Sequence, residues 1–229
     1  MPTRRREKAS TWRYLEDYIR PGLLTVGLNI ETVPHSYASV DLYDKQGGLL
    51  IPAFTKNGEG QLRTFCSGEW KRDAIYRYLR EPERGYGPEN PVIQWIGFST
   101  NEKHRCKPSK RKWAEIHWPL IMGYGVQLSA AECAQLVVDY GWPEPPESCC
   151  WMCPFQSDRQ WRNQRDHEPA DHAKAIAFDA KIIQTDERGG LFVHRSGVPL
   201  SQVNLDGDDG LQVPLFGRGE KCESGLCWT

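Results

Sequence analysis

Apolar residues recur at helical spacing in several segments of the chain, with polar residues between them. The pattern predicts helices over 10–19, 68–80, 130–140, 157–166 and 169–184. Ser67, Ser129 and Ser157 stand where a serine hydroxyl can accept a hydrogen bond from an unpaired amide of the first helical turn. Pro21-Gly22 is expected to end the first helix, because proline disrupts a helix interior.

Short apolar runs between these helices have the composition of strands. We predict strands over 28–33, 92–98 and 118–121. The run 92–98 is largely apolar, so we expect it to be buried on both faces of a parallel sheet. Strands that alternate with helices predict an α/β fold with a three-layer core. We divide the chain into a nucleotide-binding core at 1–146 and a part at 147–229 that carries the cysteines and packs on it as one unit.

Composition and charge describe an ordinary globular protein. Of the 229 residues, 26% are charged and 39% are hydrophobic, and the net charge of −1 gives no general attraction to nucleic acid. The basic start of the chain is not followed by the apolar core of a signal peptide, and no run approaches the roughly 20 apolar residues of a membrane span. We therefore expect a cytoplasmic protein whose eight cysteines are reduced. Disulfide pairing is the alternative.

The segment 148–155, which we call the cysteine knuckle, contains three of the eight cysteines within five positions. Cys150 and Cys153 are two residues apart, a spacing that lets both thiolates face one tetrahedral site. Cys149 is the weaker candidate, because adjacent cysteines do not easily face the same site. Four thiolates suit either zinc or a [4Fe–4S] cluster, and the Cys-x-x-Cys-Pro form favours the cluster.

Three more cysteines are candidates for the same site. Cys66 comes just before a predicted helix, with Arg63 and Lys71 nearby, and this environment favours the thiolate. It is a candidate for a ligand or a reactive thiol, and the alternative is a small buried residue. Cys222 and Cys227 lie in a polar tail that could fold back and complete the coordination. The alternative for this pair is a flexible segment without ligands.

A polar loop over 99–112 follows the strongest predicted strand, at the place where a doubly wound fold binds its ligand. Glu102 and Arg105, together with Arg63 and Lys71, could form a binding site for phosphate or sulfate. An ordinary solvated loop is the alternative interpretation.

Two other basic segments could contact ligands. His194 and Arg195 follow a short apolar run and could face the same cleft, although a buried structural histidine fits the pattern equally well. The loop over 103–112 is rich in lysine and arginine and is followed by Trp113, so it could attract RNA or DNA. A solvated charged loop is again the alternative.

Several motifs follow one another in a fixed order from about residue 10 to the end of the chain. They are Ile51-Pro52-Ala53-Phe54, Arg63-Thr64-Phe65-Cys66, Gln94-Trp95-Ile96-Gly97, Asn101-Glu102 with Arg105, Trp118-Pro119-Leu120-Ile121, the cysteine knuckle, Trp161, His194-Arg195-Ser196 and Cys222 with Cys227. In this order they resemble the phosphoadenosine phosphosulfate (PAPS) reductase-like proteins of phages and mobile elements. That family belongs to the adenine-nucleotide α-hydrolase, or PP-loop, superfamily.

The resemblance implies a doubly wound parallel sheet that binds ATP or a PAPS-type nucleotide at its carboxyl edge. Relatives reduce activated sulfate, or activate a substrate with ATP before sulfur is inserted. In this interpretation Cys66 and Lys71 are catalytic. The nucleotide or substrate is bound by Arg63, Lys71, Glu102, Arg105, His194 and Arg195. The metal or cluster is held by Cys66, Cys150, Cys153, Cys222 and Cys227.

The sequence departs from the family pattern at one point. The family's first strand ends in a Ser-Gly-Gly-x-Asp-Ser-like loop whose amides bind phosphate, and the chain contains no such loop. A partner chain or a second copy could supply it, or the reading frame is shortened. The alternative is that ATP chemistry is lost and the chain is a non-catalytic accessory protein with a structural metal knuckle.

Overall fold

The chain combines helices with short strands in the residues that the computed structural model describes, which are 6–33, 49, 51–56, 62, 66–122, 125–185 and 190–207. Arg63, Cys222 and Cys227 lie outside these residues. No helix within these described ranges has the length and apolar composition that a bilayer crossing requires.

The N-terminal helix continues through the residues that were expected to end it. Helix α1 (Ala9–Tyr14) is followed without a break by a π-helical turn (Leu15–Ile19) and by α2 (Arg20–Thr25). Proline donates no amide hydrogen, and here it follows the wider π turn, where the helical hydrogen-bond register already shifts. The predicted end at Pro21-Gly22 is therefore wrong. The predicted strand over 28–33 is also wrong, because this segment has no regular structure.

The central helix is longer than predicted at its start. The backbone is already helical at Cys66 and Ser67, continues through a π-helical turn (Gly68–Arg72) and ends as α3 (Asp73–Leu79). Ser67 therefore lies inside the first turn and makes no capping hydrogen bond with its side chain. We refer to the whole segment 66–79 as the central helix.

Two pairs of strands are present among the described residues. Strand β1 (Phe54–Thr55) pairs antiparallel with β4 (Leu191–Phe192), and β2 (Val92–Trp95) pairs parallel with β3 (Ala114–His117). The described strands thus form two small sheets. The predicted combination of helices and strands is therefore confirmed.

The parallel pair differs from its prediction in burial and in its second strand. Ile93 and Trp95 are 58% and 62% exposed, so β2 is not buried on both faces. Its partner is β3, whereas the predicted strand over 118–121 lies in a turn. Among the described residues β2 pairs with β3, and no layer covers the face of β2 that carries Ile93 and Trp95, so this face contacts water.

The helices of the second half begin as the sequence predicts. Ser129 caps α4 (Ala130–Asp139) and Ser157 caps α5 (Asp158–His167), and each serine forms a reciprocal capping box. Helix α6 (Pro169–Thr185) starts at its proline.

One buried core joins the two predicted parts of the chain. Trp161, Val193 and Ala175 are completely buried in it, together with Ala53 from the first part. Carboxylates of the second part also fix the start of α1: the Ala9 amide donates to Asp171 at 2.7 Å. The boundary between 146 and 147 therefore does not separate two hydrophobic cores among the described residues.

Candidate functional site

The cysteine knuckle forms a tight turn that is fixed through its backbone carbonyls. The Cys153 amide donates to the Cys150 carbonyl at 3.0 Å, which closes the turn between the two predicted ligands. The buried Gln156 amide group lies 3.4–3.5 Å from the carbonyl oxygens of Cys150, Trp151 and Cys153. Gln164 donates to the Trp151 carbonyl at 3.0 Å. The Cys149 thiol also donates to the Cys150 carbonyl at 3.2 Å, so the turn is held by side-chain amides and by one of its own thiols.

The N-terminal segment pairs with the knuckle as a short β-bridge. Glu7 and Cys150 are the bridge partners, and the Lys8 amide donates to the Cys149 carbonyl at 3.2 Å. The Trp151 amide donates to the Arg6 carbonyl at 3.0 Å. This pairing places Glu7 beside the knuckle, a position that no sequence signal indicated.

The structure brings Cys66 to the knuckle. The thiols of Cys66, Cys150 and Cys153 lie close enough to interact electrostatically. Lys71 of the central helix forms a 2.7 Å ion pair with Glu7, whose carboxylate lies 3.8 Å from the Cys150 sulfur. We call these five residues the cysteine site.

All described cysteines are free thiols. The alternative of disulfide pairing therefore does not apply to the described residues, which include Cys149 and the three thiols of the cysteine site. Cys106 and Cys133 are free as well and lie in the polar loop and on α4.

Burial decides the protonation of these thiols. It raises the pKa of Cys66, although Lys71 and nearby hydrogen bonds act in the opposite direction. The expected thiolate at Cys66 is therefore wrong for the protein without a bound cation. Burial also raises the pKa of Cys149 to about 12, and it raises the pKa values of Cys150 and Cys153 well above the usual range, with the Glu7 charge adding to the effect. Neutral thiols are the stable form when no positive charge lies among them.

The donor chemistry fits a thiophilic metal, but the described residues do not close a coordination shell. Within the ranges that the structure describes, no group of three or more His, Cys, Asp or Glu side chains is arranged to hold a metal ion. Three thiols on two segments nevertheless provide the soft ligands that zinc and iron–sulfur clusters require. Cys222 and Cys227, the other predicted ligands, lie outside the described residues.

The predicted anion-binding residues divide between two places. Lys71 pairs with Glu7 at the cysteine site, whereas Glu102 and Arg105 pair with each other in a 3₁₀ helix (Thr100–Arg105) after β2. Glu102 also completes a capping box with Ser99. The structure does not place Lys71 in an ion pair with Glu102.

Arg105 keeps hydrogen-bonding capacity that no described residue uses. Its guanidinium lies 4.7 Å from the centre of the Phe98 ring. The Nε and Nη2 atoms are buried and have no acceptor among the described residues. A buried donor without an acceptor lowers the free energy of unfolding by about 1–3 kcal/mol. An anion that accepted hydrogen bonds from Nε and Nη2 would remove this cost.

His194 and Arg195 are both bonded to Asp158, at the start of α5. His194 Nε2 lies 3.2 Å from Asp158 Oδ1, and Arg195 donates to the same oxygen at 2.7 Å. The Ser196 amide donates to His194 Nδ1 at 3.2 Å, so Nδ1 is the acceptor and Nε2 carries the hydrogen. Burial lowers the pKa of His194. This network attaches the segment after β4 to helix α5.

A shallow cavity of about 330 Å³ lies beside the cysteine site. Its charged lining consists of Glu7, Glu16, Asp17, Asp171, Arg13 and Lys174. Acidic side chains outnumber basic ones, so this cavity does not suit the phosphates of a nucleotide.

Comparisons with protein-family models, with curated proteins and with solved structures found no match to this chain.

Proposed function

We propose that this chain is a PAPS reductase-like protein that carries out sulfur chemistry on an adenylylated or sulfated substrate. The reaction is either the reduction of activated sulfate or the transfer of sulfur to a nucleic acid. Its thiols at positions 66, 150 and 153 hold a [4Fe–4S] cluster, with zinc as the alternative. The proposal depends on the position of Cys66 beside the knuckle. Cysteines that are far apart in the sequence but close in the fold can share one ligand.

The electrostatics of the cysteine site support a bound cation. Three partly buried thiols that interact with one another resist ionisation, and the neighbouring Glu7 carboxylate strengthens this resistance. A bound metal or cluster favours the thiolate over the neutral thiol, because its positive charge stabilises the thiolate directly. A cluster bound by three protein thiols would supply an open iron position for sulfide or substrate. Lys71 would then balance part of the negative charge of the thiolates.

Arg105 supports the binding of an anionic substrate near the parallel strands. It follows β2 at the carboxyl end of the β2–β3 pair, the edge where α/β sheets bind ligands. Its two unused donors match the oxygens of a phosphate or sulfate group. We propose that β2 and β3 belong to a doubly wound, three-layer sheet of the PP-loop type. Glu102 then orients Arg105 and does not itself touch the anion.

A non-catalytic accessory protein with a structural metal site is the second candidate. The acidic cavity beside the cysteine site favours it, since four carboxylates against two basic side chains would repel phosphates. The absence of a phosphate-binding Ser-Gly-Gly loop in the sequence favours it as well.

Metal and sulfide analysis of anaerobically purified protein tests the cysteine site. We expect iron and acid-labile sulfide with a brown colour, or stoichiometric zinc in colourless protein. Cys66→Ser and Cys153→Ser should each lose most of the metal, whereas Cys133→Ser, on α4, is the matched control and should retain it. Protein that binds neither metal under anaerobic reconstitution would refute the cysteine site.

Calorimetric titration separates the enzyme from the accessory protein. We expect ATP, adenosine phosphosulfate or PAPS to bind, and we expect Arg105→Met to weaken that binding at least tenfold, through loss of a charge-assisted bidentate contact. Arg13→Met, on α1, is the control. If none of the three nucleotides binds to metal-loaded protein, the accessory function is the correct one.

A further inference from the structure

The C-terminal end of the central helix and the start of β3 form a surface of aromatic rings and arginines. The rings of Tyr76 and Trp113 meet edge to face, with their centres 5.4 Å apart. The Arg111 guanidinium lies 4.1 Å from the centre of the Tyr76 ring, and Arg80 lies 5.4 Å from the centre of the Trp113 ring. We call these four residues, with the lysines described next, the basic–aromatic face.

Exposed lysines surround this cluster. Lys107, Lys110 and Lys112 project from the loop before Trp113, and all three are exposed. Neither they nor Arg111 form an ion pair with any other described residue, and the Arg80 guanidinium donates to the uncharged Tyr86 carbonyl. In a chain whose net charge is −1, this is a local concentration of uncompensated positive charge.

The sheet that begins at Trp113 carries another exposed aromatic residue. The Val92 amide donates to the Trp113 carbonyl at 2.9 Å, so Trp113 stands at the start of the parallel pair. Trp95, at the end of β2, is 62% exposed, and Ile93 on the same face of the strand is 58% exposed. Large apolar side chains exposed together in this way mark an interaction surface.

We propose that the basic–aromatic face, extended by Trp95, binds single-stranded nucleic acid. The lysines would contact the phosphates. Unpaired bases would stack on the exposed Trp95 ring and on the arginine guanidiniums that lie over the Tyr76 and Trp113 rings. Unpaired bases fit better than a duplex, because paired bases keep their faces inside the stack. An acidic protein would pair with the lysines but would not use the planar stacking surfaces that the exposed Trp95 ring and the arginine guanidiniums provide. The proposal does not depend on a metal at the cysteine site.

The two surfaces lie toward opposite ends of one helix. Cys66 begins the central helix and Tyr76 lies near its end, which separates their backbones by about 15 Å along the axis. The cysteine site therefore lies within the length of a few nucleotides from the basic–aromatic face.

Fluorescence anisotropy with labelled oligo(dT) and oligo(U) of about 20 nucleotides tests the proposal, since such strands cover the footprint of a typical single-strand site. We expect binding that weakens as salt increases, and weaker binding to the matching duplex. Comparison of the two strands shows whether DNA or RNA is preferred. No detectable binding of either strand at low salt would overturn the proposal, and so would equal binding of polyphosphate, which has no bases.

Matched variants separate the contribution of charge from that of stacking. Lys110→Gln should reduce the slope of log K against log salt by about 0.7, whereas Arg13→Gln on α1 should not change it. Trp95→Ala should weaken binding roughly five- to hundredfold, the usual loss of one stacked base, whereas Tyr140→Ala at the exposed end of α4 should not. If Trp95→Ala and Tyr140→Ala bind equally well, bases do not stack on Trp95 and the proposed surface is wrong.

Discussion

The buried carboxylate of Asp179 connects helix α6 to the segment after β4. It lies on α6 and is 1% exposed. One carboxylate oxygen accepts the Val193 amide at 2.8 Å and the other accepts the Leu200 amide at 2.7 Å. Burial raises its pKa in spite of these two hydrogen bonds. The two hydrogen bonds therefore attach the segment after β4 to α6, although burial of the carboxylate disfavours its charged form.

The first prediction is that Asp179→Asn destabilises the protein although asparagine has the same shape. Its amide group would face one of the two backbone donors, and that donor would lose its acceptor. We expect a loss of about 1–3 kcal/mol in the free energy of unfolding, measured by urea denaturation. Asp139→Asn, on the exposed end of α4, is the control and should change it by less than about 0.5 kcal/mol. A variant at Asp179 that is as stable as the original protein would contradict this account.

The second prediction concerns His194 and the loss of stability in mild acid. Burial lowers its pKa from the usual 6.5, so as the pH falls through 6.5 the unfolded chain takes up a proton more readily than the folded protein does. Stability conferred by the neutral imidazole is present above pH 6.5 and falls as the pH drops, by up to about 1.4 kcal/mol per pH unit. His194→Gln should make the pH dependence of urea unfolding shallower. An unchanged pH dependence in this variant would exclude the histidine as its cause.

At the scale of elements, packing against a distant aromatic ring explains why glycine stands inside the N-terminal helix. A Cβ atom at Gly22 would lie 2.3 Å from Cζ2 of the Trp142 ring. That ring also meets the rings of Tyr18 and Tyr140, with ring centres 6.4 and 5.2 Å away, so it has little freedom to move. The absence of a side chain at position 22 therefore allows the segment after α4 to pack on α2.

The third prediction is that Gly22→Ala changes stability in opposite directions with and without the Trp142 ring. Gly22→Ala should destabilise the protein by about 1–3 kcal/mol, because the Trp142 ring must shift. In a Trp142→Ala background the same change should instead stabilise it by up to about 1 kcal/mol, because alanine favours a helix over glycine. Thermal or urea unfolding of the four proteins measures both effects. Equal effects in the two backgrounds would show that the ring does not limit this position.

The sequence predicts helices better than strands for a physical reason. The caps at Ser129 and Ser157 act within one turn, so their signal is local and needs no distant partner. A strand needs a neighbour, and the sequence does not show which one it has. The segment 28–33 has alternating apolar residues but no strand partner among the described residues, whereas Ala114–His117 becomes a strand because β2 lies beside it.

The same reasoning applies to the cysteine site. The spacing of Cys150 and Cys153 is local, and it predicts the tight turn that the structure contains. The position of Glu7 depends on a bridge to Cys150 across most of the chain, and nothing near Glu7 in the sequence indicates it. The pKa of Cys66 could not be predicted either, because its burial is set by packing against the core and not by its helix.

At the scale of the whole molecule, the cysteine site joins segments that are distant in the chain. The N-terminal segment 6–8, the start of the central helix and the knuckle contact one another there. Cys66 and Cys150 also pack against the main hydrophobic core. A ligand that binds these thiols should therefore stabilise the fold as a whole, since it binds the folded chain more tightly than the unfolded one.

The fourth prediction follows from this arrangement and uses Zn²⁺ alone as the probe. Stoichiometric Zn²⁺ added to reduced, metal-free protein should raise the melting temperature, and a free concentration 1,000-fold above Kd should add about 4 kcal/mol to the free energy of unfolding. Hydrogen exchange should slow most at 6–8, 66–72 and 149–153, because the metal fixes these segments together, while α4 should exchange as before. Cys153→Ser should abolish both effects. Protection that is concentrated in α4, or that persists in Cys153→Ser, would show that the metal binds elsewhere.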